Sequence, residues 1–279
     1  MTGRLLPQGR CAVMGIVNRT PDSFYDGGRM DLEETLDHAA ALVEEGADLL
    51  DIGVVRAGPG PAVSPDEEWE LLRPVLEGLA DERVPLSVET RHPVIAERAL
   101  GAGASIINDV GSGDPGVAAA VASAGAGLVV MHNGGQIRSR PRHPAYKDVV
   151  AEVNEELHRR AQDAVELGVP HGSVIVDPGP DFGKTTFHSL ELMRRLDETV
   201  ALGWPVLVAV SRKDVVGETL DLPPGERLEG SLALAALAVE RGAAVVRTHD
   251  VQATVRVVQM VEAVMGRRIP AAPLRGLWD

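Results

Sequence analysis

Short runs rich in Val, Ile and Leu alternate with longer stretches of helical periodicity along almost the whole chain. Ala12–Val17, Leu49–Ile52, Leu86–Val88, Ile106–Ile107, Leu128–Met131, Val174–Val176, Val206–Val210 and Val245–Val246 read as buried strands. Between and after them, Leu32–Glu45, Pro65–Leu79, Pro93–Leu100, Val149–Leu167, Leu190–Leu202, Leu228–Glu240 and Val251–Met265 read as helices. In the last of these, Val251, Thr254, Val255, Val258 and Val261 follow the i, i+3, i+4 spacing of one helical face. Gly46 and Gly168 each stand just past a helical run, where a left-handed cap is expected. Eight strand–helix alternations joined by right-handed crossovers give a parallel sheet, either doubly wound or closed.

The polar residues favour closure. Each candidate strand runs into hydrogen-bonding or ionisable groups: Asn18, Asp51, Glu89-Thr90, Asn108-Asp109, His132, Asp177, Ser211-Arg212-Lys213, and Arg247 with His249. In an open sheet, the groups of one edge cannot meet those of the other. In a (β/α)8 barrel of the TIM type they converge on the C-terminal mouth, where active sites of that fold sit. A single Asp at a strand end signals little, because Asp also caps helices. Eight such ends in one chain point to one convergent site.

Composition then bounds the class. A chain of 279 residues suits one barrel domain spanning 1–279. The formal net charge of −14 argues against a general nucleic-acid binder, although a few local cations suffice for a small anion. Cys11 is the only cysteine, so no internal disulfide forms, which suits a reducing cytoplasm. The first ten residues carry no signal-peptide core, and the longest apolar run, Leu232–Val239, is too short to cross a bilayer. A cytoplasmic protein with no membrane partner is expected.

The candidate chemistry is mixed. Glu89, Asn108, Asp177 and Lys213 combine acceptors, donors and both charges, which suits the edge of a polar heterocycle better than an aliphatic substrate. An amino-pyrimidinone ring would satisfy a buried carboxylate with adjacent N–H donors, and Lys213 would bond a ring carbonyl or nitrogen. Arg247 matches phosphate geometry, Asn18 offers a neutral oxygen suited to Mg²⁺, and His249 is a further anion donor. The loop Asn18–Phe24 packs an amide, hydroxyls, a carboxylate and an aromatic ring into seven positions. Pro21 shapes it, which marks Asp22, Ser23 and Phe24 as loop contacts. Phe182 is the second ring placed to wall a planar ligand. Gly179 to Thr185 looks like a phosphate-binding loop but is one residue short of that motif.

Taken in order, these segments resemble the dihydropteroate synthase family over nearly the whole chain. The opening loop, Asp51-Ile52-Gly53, Ile107-Asn108-Asp109-Val110, Asp177-Pro178-Gly179 with Phe182-Gly183-Lys184-Thr185, Ser211-Arg212-Lys213, and Arg247 with His249-Asp250 carry the match. The resemblance implies a TIM barrel, usually a homodimer, that binds 6-hydroxymethyl-dihydropterin pyrophosphate with Mg²⁺. It would transfer the pterin-methyl group to p-aminobenzoate. Glu89, Asn108, Asp177 and Lys213 would then hold the pterin. Asn18, Arg247 and His249 would hold the pyrophosphate, Asn18 would also reach the metal, and Lys213, Arg247 and His249 would be the catalytic set.

Two departures from the family pattern bear on activity. After Asp-Ile-Gly the family carries Gly-Glu-Ser-Thr-Arg-Pro, whereas Val54-Val55-Arg56-Ala57-Gly58-Pro59 stands here. The family's threonine and arginine are replaced by Ala57 and Gly58, and Arg56 stands two residues early. The usual Val-Asp-Thr is Val88-Glu89-Thr90, one methylene longer. After His132, Asn133-Gly134 also lacks an arginine often found there, with Arg138, Arg140 and Arg142 following. One expectation is a dihydropteroate synthase with weak or shifted amine selectivity. Another is a pterin-binding paralogue that no longer makes dihydropteroate. A corrinoid-linked pterin methyltransferase is a third, without a sequence sign of the corrinoid partner.

Overall fold

In a computed structural model, residues 5–19, 31–55, 62–135 and 144–275 are described. The strands are β1 Ala12–Asn18, β2 Leu49–Gly53, β3 Leu86–Thr90, β4 Ile106–Asp109, β5 Gly127–Met131, β6 Val174–Asp177, β7 Leu207–Ala209 and β8 Val245–Thr248. The helices are α1 Leu32–Glu44, α2 Pro65–Gly78, α3 Pro93–Gly101, α4 Pro115–Ala124, α5 Val149–Glu166, α6 Thr186–Arg194, α7 Leu196–Val200, α8 Asp214–Leu220, α9 Leu228–Glu240 and α10 Val251–Val264. All strand pairs are parallel, in the order β6-β5-β4-β3-β2-β1-β8-β7. A bridge between Val176 and Val206, with Val176 N donating to the Pro205 carbonyl at 2.9 Å, joins the two ends. The sheet is therefore a (β/α)8 barrel, as the strand-end chemistry predicts.

Strand alternation divides the apolar residues into two cores. Ala12, Met14, Leu49, Ile106, Val129, Ile175, Leu207, Ala209 and Val245 fill the barrel interior. The other face of each strand packs on the helices through Val13, Leu50, Val88, Ile107, Val130 and Val176, among others. Moving two residues along from Leu49, Ile106, Ile175 and Val245 gives Asp51, Asn108, Asp177 and Arg247, on the same inward face. The polar mouth is thus the next layer of the barrel above its apolar plug.

The helix starts follow local chemistry. Asp31, Ser64 and Thr185 cap α1, α2 and α6, each with a reciprocal bond from the third helical residue. Gly46 and Gly168 take φ of 101° and 103°, as their positions after α1 and α5 require. Two helices escaped the periodicity. In α4 (Pro-Gly-Val-Ala-Ala-Ala) an alanine-rich sequence has little contrast between faces and its Pro-Gly start reads as a turn, yet Asp114 caps it. The seven-residue α8 is too short to show a period. The expected helix Leu190–Leu202 starts earlier, at Thr186, and breaks at Arg195, where φ −112° and ψ 29° leave the helical region.

Candidate active site

Asp51 is the centre of the mouth. Its side chain is fully buried and accepts from Ser87 Oγ at 2.6 Å, Asn108 Nδ2 at 3.0 Å and Arg247 Nε at 2.7 Å. Arg247 also reaches Glu89 Oε2 through Nη2 at 3.0 Å. Residues from β2, β3, β4 and β8 are joined in this way into one network. Gly53 makes room for it. A Cβ there would lie 3.1 Å from Asn18 Oδ1 and 3.7 Å from Glu89 Oε1, so the amide and the carboxylate approach across the glycine.

The network uses only part of its hydrogen-bonding capacity. Among the described residues, Glu89 Oε1, Asn108 Oδ1 and Asp177 Oδ2 accept no hydrogen bond, while Asp177 Oδ1 accepts from Gly179 N at 2.7 Å. Burial raises the carboxyls of Glu89 and Asp177 above their ordinary range, opposed by Arg247 for the first and Lys213 for the second. Lys213 Nζ bonds the Pro180 carbonyl at 3.0 Å and stands 4.7 Å above the Phe182 ring. Burial lowers its ammonium, with Asp177 opposing.

Glu89 gives the mouth a pH signature. Burial pushes it up to about 7, against an ordinary 4.5. The folded protein therefore holds this proton more tightly than the unfolded chain does, and folding takes up a proton between those values. Stability falls as pH rises through that window. Glu89→Gln is expected to flatten this fall between pH 4.5 and 7 in urea-unfolding midpoints. An unchanged slope would show that Glu89 ionises freely.

His249 borders the same layer. Its ring Nδ1 lies 3.0 Å from Ser211 Oγ, and its backbone N–H donates to the same oxygen at 3.1 Å. Burial, with the Arg247 cation beside it, lowers the imidazole to about 4, so it is neutral at pH 7. Arg212, between Ser211 and Lys213, has a left-handed φ of 54° and grips Asp250 with two bonds of 2.7 and 2.9 Å.

The structure brings Asn18, Glu89, Asn108, Asp177, Lys213, Arg247 and His249 to one end of the barrel. Asp22, Ser23, Phe24 and Arg56 lie outside the described residues. The expected convergence of every strand end does not hold, because neighbouring residues on a strand face opposite ways. Asp109 pairs with Arg160 of α5 at 3.2 Å, Thr90 donates to Glu68 of α2 at 2.6 Å, and His132 lies 3.3 Å from Glu156 of α5. Asp51 and Ser87 carry more of the network than sequence reasoning assigned them. The signal was a carboxylate set inside Leu-Leu-Asp-Ile-Gly, two residues from a barrel-filling leucine.

Among the described residues, no group of three or more His, Cys, Asp or Glu could hold a metal by itself. The donor set at β1 still fits Mg²⁺, which keeps several waters and takes one or two protein oxygens plus substrate phosphates. Asn18 supplies such an oxygen, and its side chain makes no hydrogen bond among the described residues.

The profile of the family described as Pterin binding enzyme matches residues 14–249. Inactive dihydropteroate synthase 2 of Mycobacterium leprae is 46% identical, over 99% of this chain and 98% of its own. Dihydropteroate synthase of Bacillus subtilis is 41% identical, over 91% and 89%. The Yersinia pestis dihydropteroate synthase, in complex with a sulfonamide drug, superposes with a TM-score of 0.90 at 38% identity, covering 94% of this chain and 97% of that one.

Proposed function

The chain belongs to the pterin-binding enzymes, with a dihydropteroate synthase-type barrel, and from that premise we propose that it binds 6-hydroxymethyl-dihydropterin pyrophosphate and transfers the pterin-methyl group to an aryl amine. One observation carries the pterin half of this reading. Among the described residues, Glu89, Asn108 and Asp177 keep three acceptor atoms unused at the mouth, with a lysine ammonium and an aromatic ring beside them. An amino-pyrimidinone edge offers adjacent N–H donors for those acceptors and a carbonyl or ring nitrogen for Lys213. Phe182 walls the ring plane.

In the transfer, the bond between the methylene carbon and the pyrophosphate oxygen breaks, and a bond from the amine nitrogen to that carbon forms. The amine loses one proton, which the leaving pyrophosphate or solvent water takes up. Positive charge builds on the methylene and negative charge on the leaving group. Arg247 Nη1 makes no hydrogen bond among the described residues and, with the neutral His249 N–H, would hold the departing pyrophosphate. The carboxylates of Glu89 and Asp177 favour the cationic pterin. Asn18 would hold Mg²⁺, which supplies charge neutralisation at the phosphates. Asp22, Ser23, Phe24 and Arg56 are proposed contacts of the loops over the site. We further propose a cytoplasmic homodimer; no described helix is long and apolar enough to cross a membrane.

A second reading has its own support. Val54 to Pro59 departs from the family's second loop, and four mycobacterial relatives at 45–46% identity are named inactive dihydropteroate synthase 2. In that reading the chain keeps the pterin and makes no dihydropteroate. Incubating it with the pterin pyrophosphate, Mg²⁺ and p-aminobenzoate, and measuring both pyrophosphate and dihydropteroate, separates the two. Dihydropteroate supports the transfer. Pterin binding without dihydropteroate supports the paralogue, and pyrophosphate release alone points to another acceptor. Should the pterin pyrophosphate fail to raise the melting temperature, both readings fall. Lys213→Ala removes a charged donor and is expected to weaken pterin binding by about 10–100-fold in calorimetry; a change below about 3-fold would contradict its role.

A further inference from the structure

The segment Gly179–Thr185, one residue short of a phosphate loop, turns its lysine away from any phosphate. Lys184 is 9% exposed. Its Nζ lies 2.7 Å from His132 Nδ1, 2.9 Å from the Phe182 carbonyl and 3.0 Å from the Gly179 carbonyl. The His132 carbonyl is a longer fourth contact at 3.4 Å, and the three shorter acceptors match the three protons of an ammonium. Burial lowers the His132 imidazole to about 3, so it is neutral and accepts at Nδ1. Burial also brings Lys184 down to about 7, with Asp177 opposing. An ammonium withdrawn from water is a costly device for closing a turn, since apolar or neutral groups do so without desolvating a charge.

What Lys184 closes is the loop that furnishes the mouth. Within it, Gly179 N caps Asp177 Oδ1, the Pro180 carbonyl accepts from Lys213, and the Phe182 ring lies beneath that lysine. The loop also touches the segment after β5: a Cβ at Gly179 would overlap the His132 carbonyl, and Tyr146 donates to the Gly183 carbonyl at 2.9 Å. We infer that Lys184 is a positioning residue: by bridging the Gly179 and Phe182 carbonyls to His132, it fixes Asp177, the Pro180 carbonyl and Phe182 in the geometry that receives the pterin. The inference rests on the pterin reading above. It separates the two halves of the site, because among the described residues the side chains of Asn18 and Arg247 make no hydrogen bond to this loop.

Lys184→Met keeps the length and apolar stem and removes all three donors. It is expected to raise the Kd for 6-hydroxymethyl-dihydropterin at least 10-fold in calorimetry while leaving the Kd for pyrophosphate with Mg²⁺ within 2-fold. Amide exchange across residues 179–183 should accelerate at least 10-fold. A purely structural lysine would move both ligands together, and an idle one would move neither; either outcome overturns the inference. If Lys184→Met does not fold, Lys184→Gln, which keeps a donor group, is read in the same assays against the same limits. When the parent protein itself binds no pterin, the function reading fails, and amide exchange alone decides whether Lys184 orders the loop.

Discussion

Asp51→Ala is expected to lower folding stability by about 3–5 kcal/mol and to abolish pterin binding. The carboxylate is fully buried and answers three donors at once: Ser87, Asn108 and Arg247. Deleting it leaves a hydroxyl and an amide N–H unpaired in the barrel, and leaves the Arg247 cation with Glu89 as its remaining carboxylate. Urea unfolding followed by circular dichroism measures the loss, and a change below about 1 kcal/mol would show that water replaces the carboxylate. The double variant Asp51→Ala with Arg247→Met removes the stranded charge as well. It should recover a substantial part of the stability, because a missing ion pair costs less than a broken one. Binding should not return, which separates the stabilising part of the network from its work on ligand.

The second large effect concerns the acceptor. Ala57→Thr combined with Gly58→Arg restores two of the five residues by which this chain departs from the family's second loop, the threonine and the arginine. If the transfer is impaired there, kcat/KM for p-aminobenzoate should rise about 100-fold, the scale on which misplaced positioning groups act. The Kd for the pterin pyrophosphate should hardly change, since of the residues proposed to hold the pterin Glu89, Asn108 and Asp177 lie on β3, β4 and β6 and Lys213 lies beyond β7. Val54 is left in place because it is 2% exposed in the core between barrel and helices. Equal dihydropteroate yields from parent and variant, at equal pterin affinity, would show that these two positions do not limit the reaction. Glu89→Asp is then the next change to make, as it shortens the other departing side chain.

The elements were legible where burial imposes a period. All eight strands and most helices announce themselves through Val, Ile and Leu spacing, and the caps at Asp31, Ser64 and Thr185 follow from short-range chemistry. Helix α4 was not legible, because alanine packs equally well on either face. In the site, Glu89, Asn108, Asp177, Lys213 and Arg247 could be named in advance, since charged and amide groups at the ends of apolar strands have few other uses. Asp109, His132 and Thr90 look the same in one dimension. They turn outward to Arg160, Glu156 and Glu68.

By itself, then, the sequence determined the alternation of strands and helices, the closed parallel sheet, the family and the kinds of chemistry at the mouth. These depend on periodicity and on residue type, both local properties. Only the tertiary structure decided which polar residues meet. Asp51 is separated from Arg247 by 196 positions, and Lys184 from His132 by 52. Pairing of β1 with both β2 and β8 makes the first pair neighbours, and the side of the strand taken by each residue decides whether a carboxylate serves the mouth or a helix. A buried charge is stable only beside its partners, and those partners are chosen by the fold, not by the chain order.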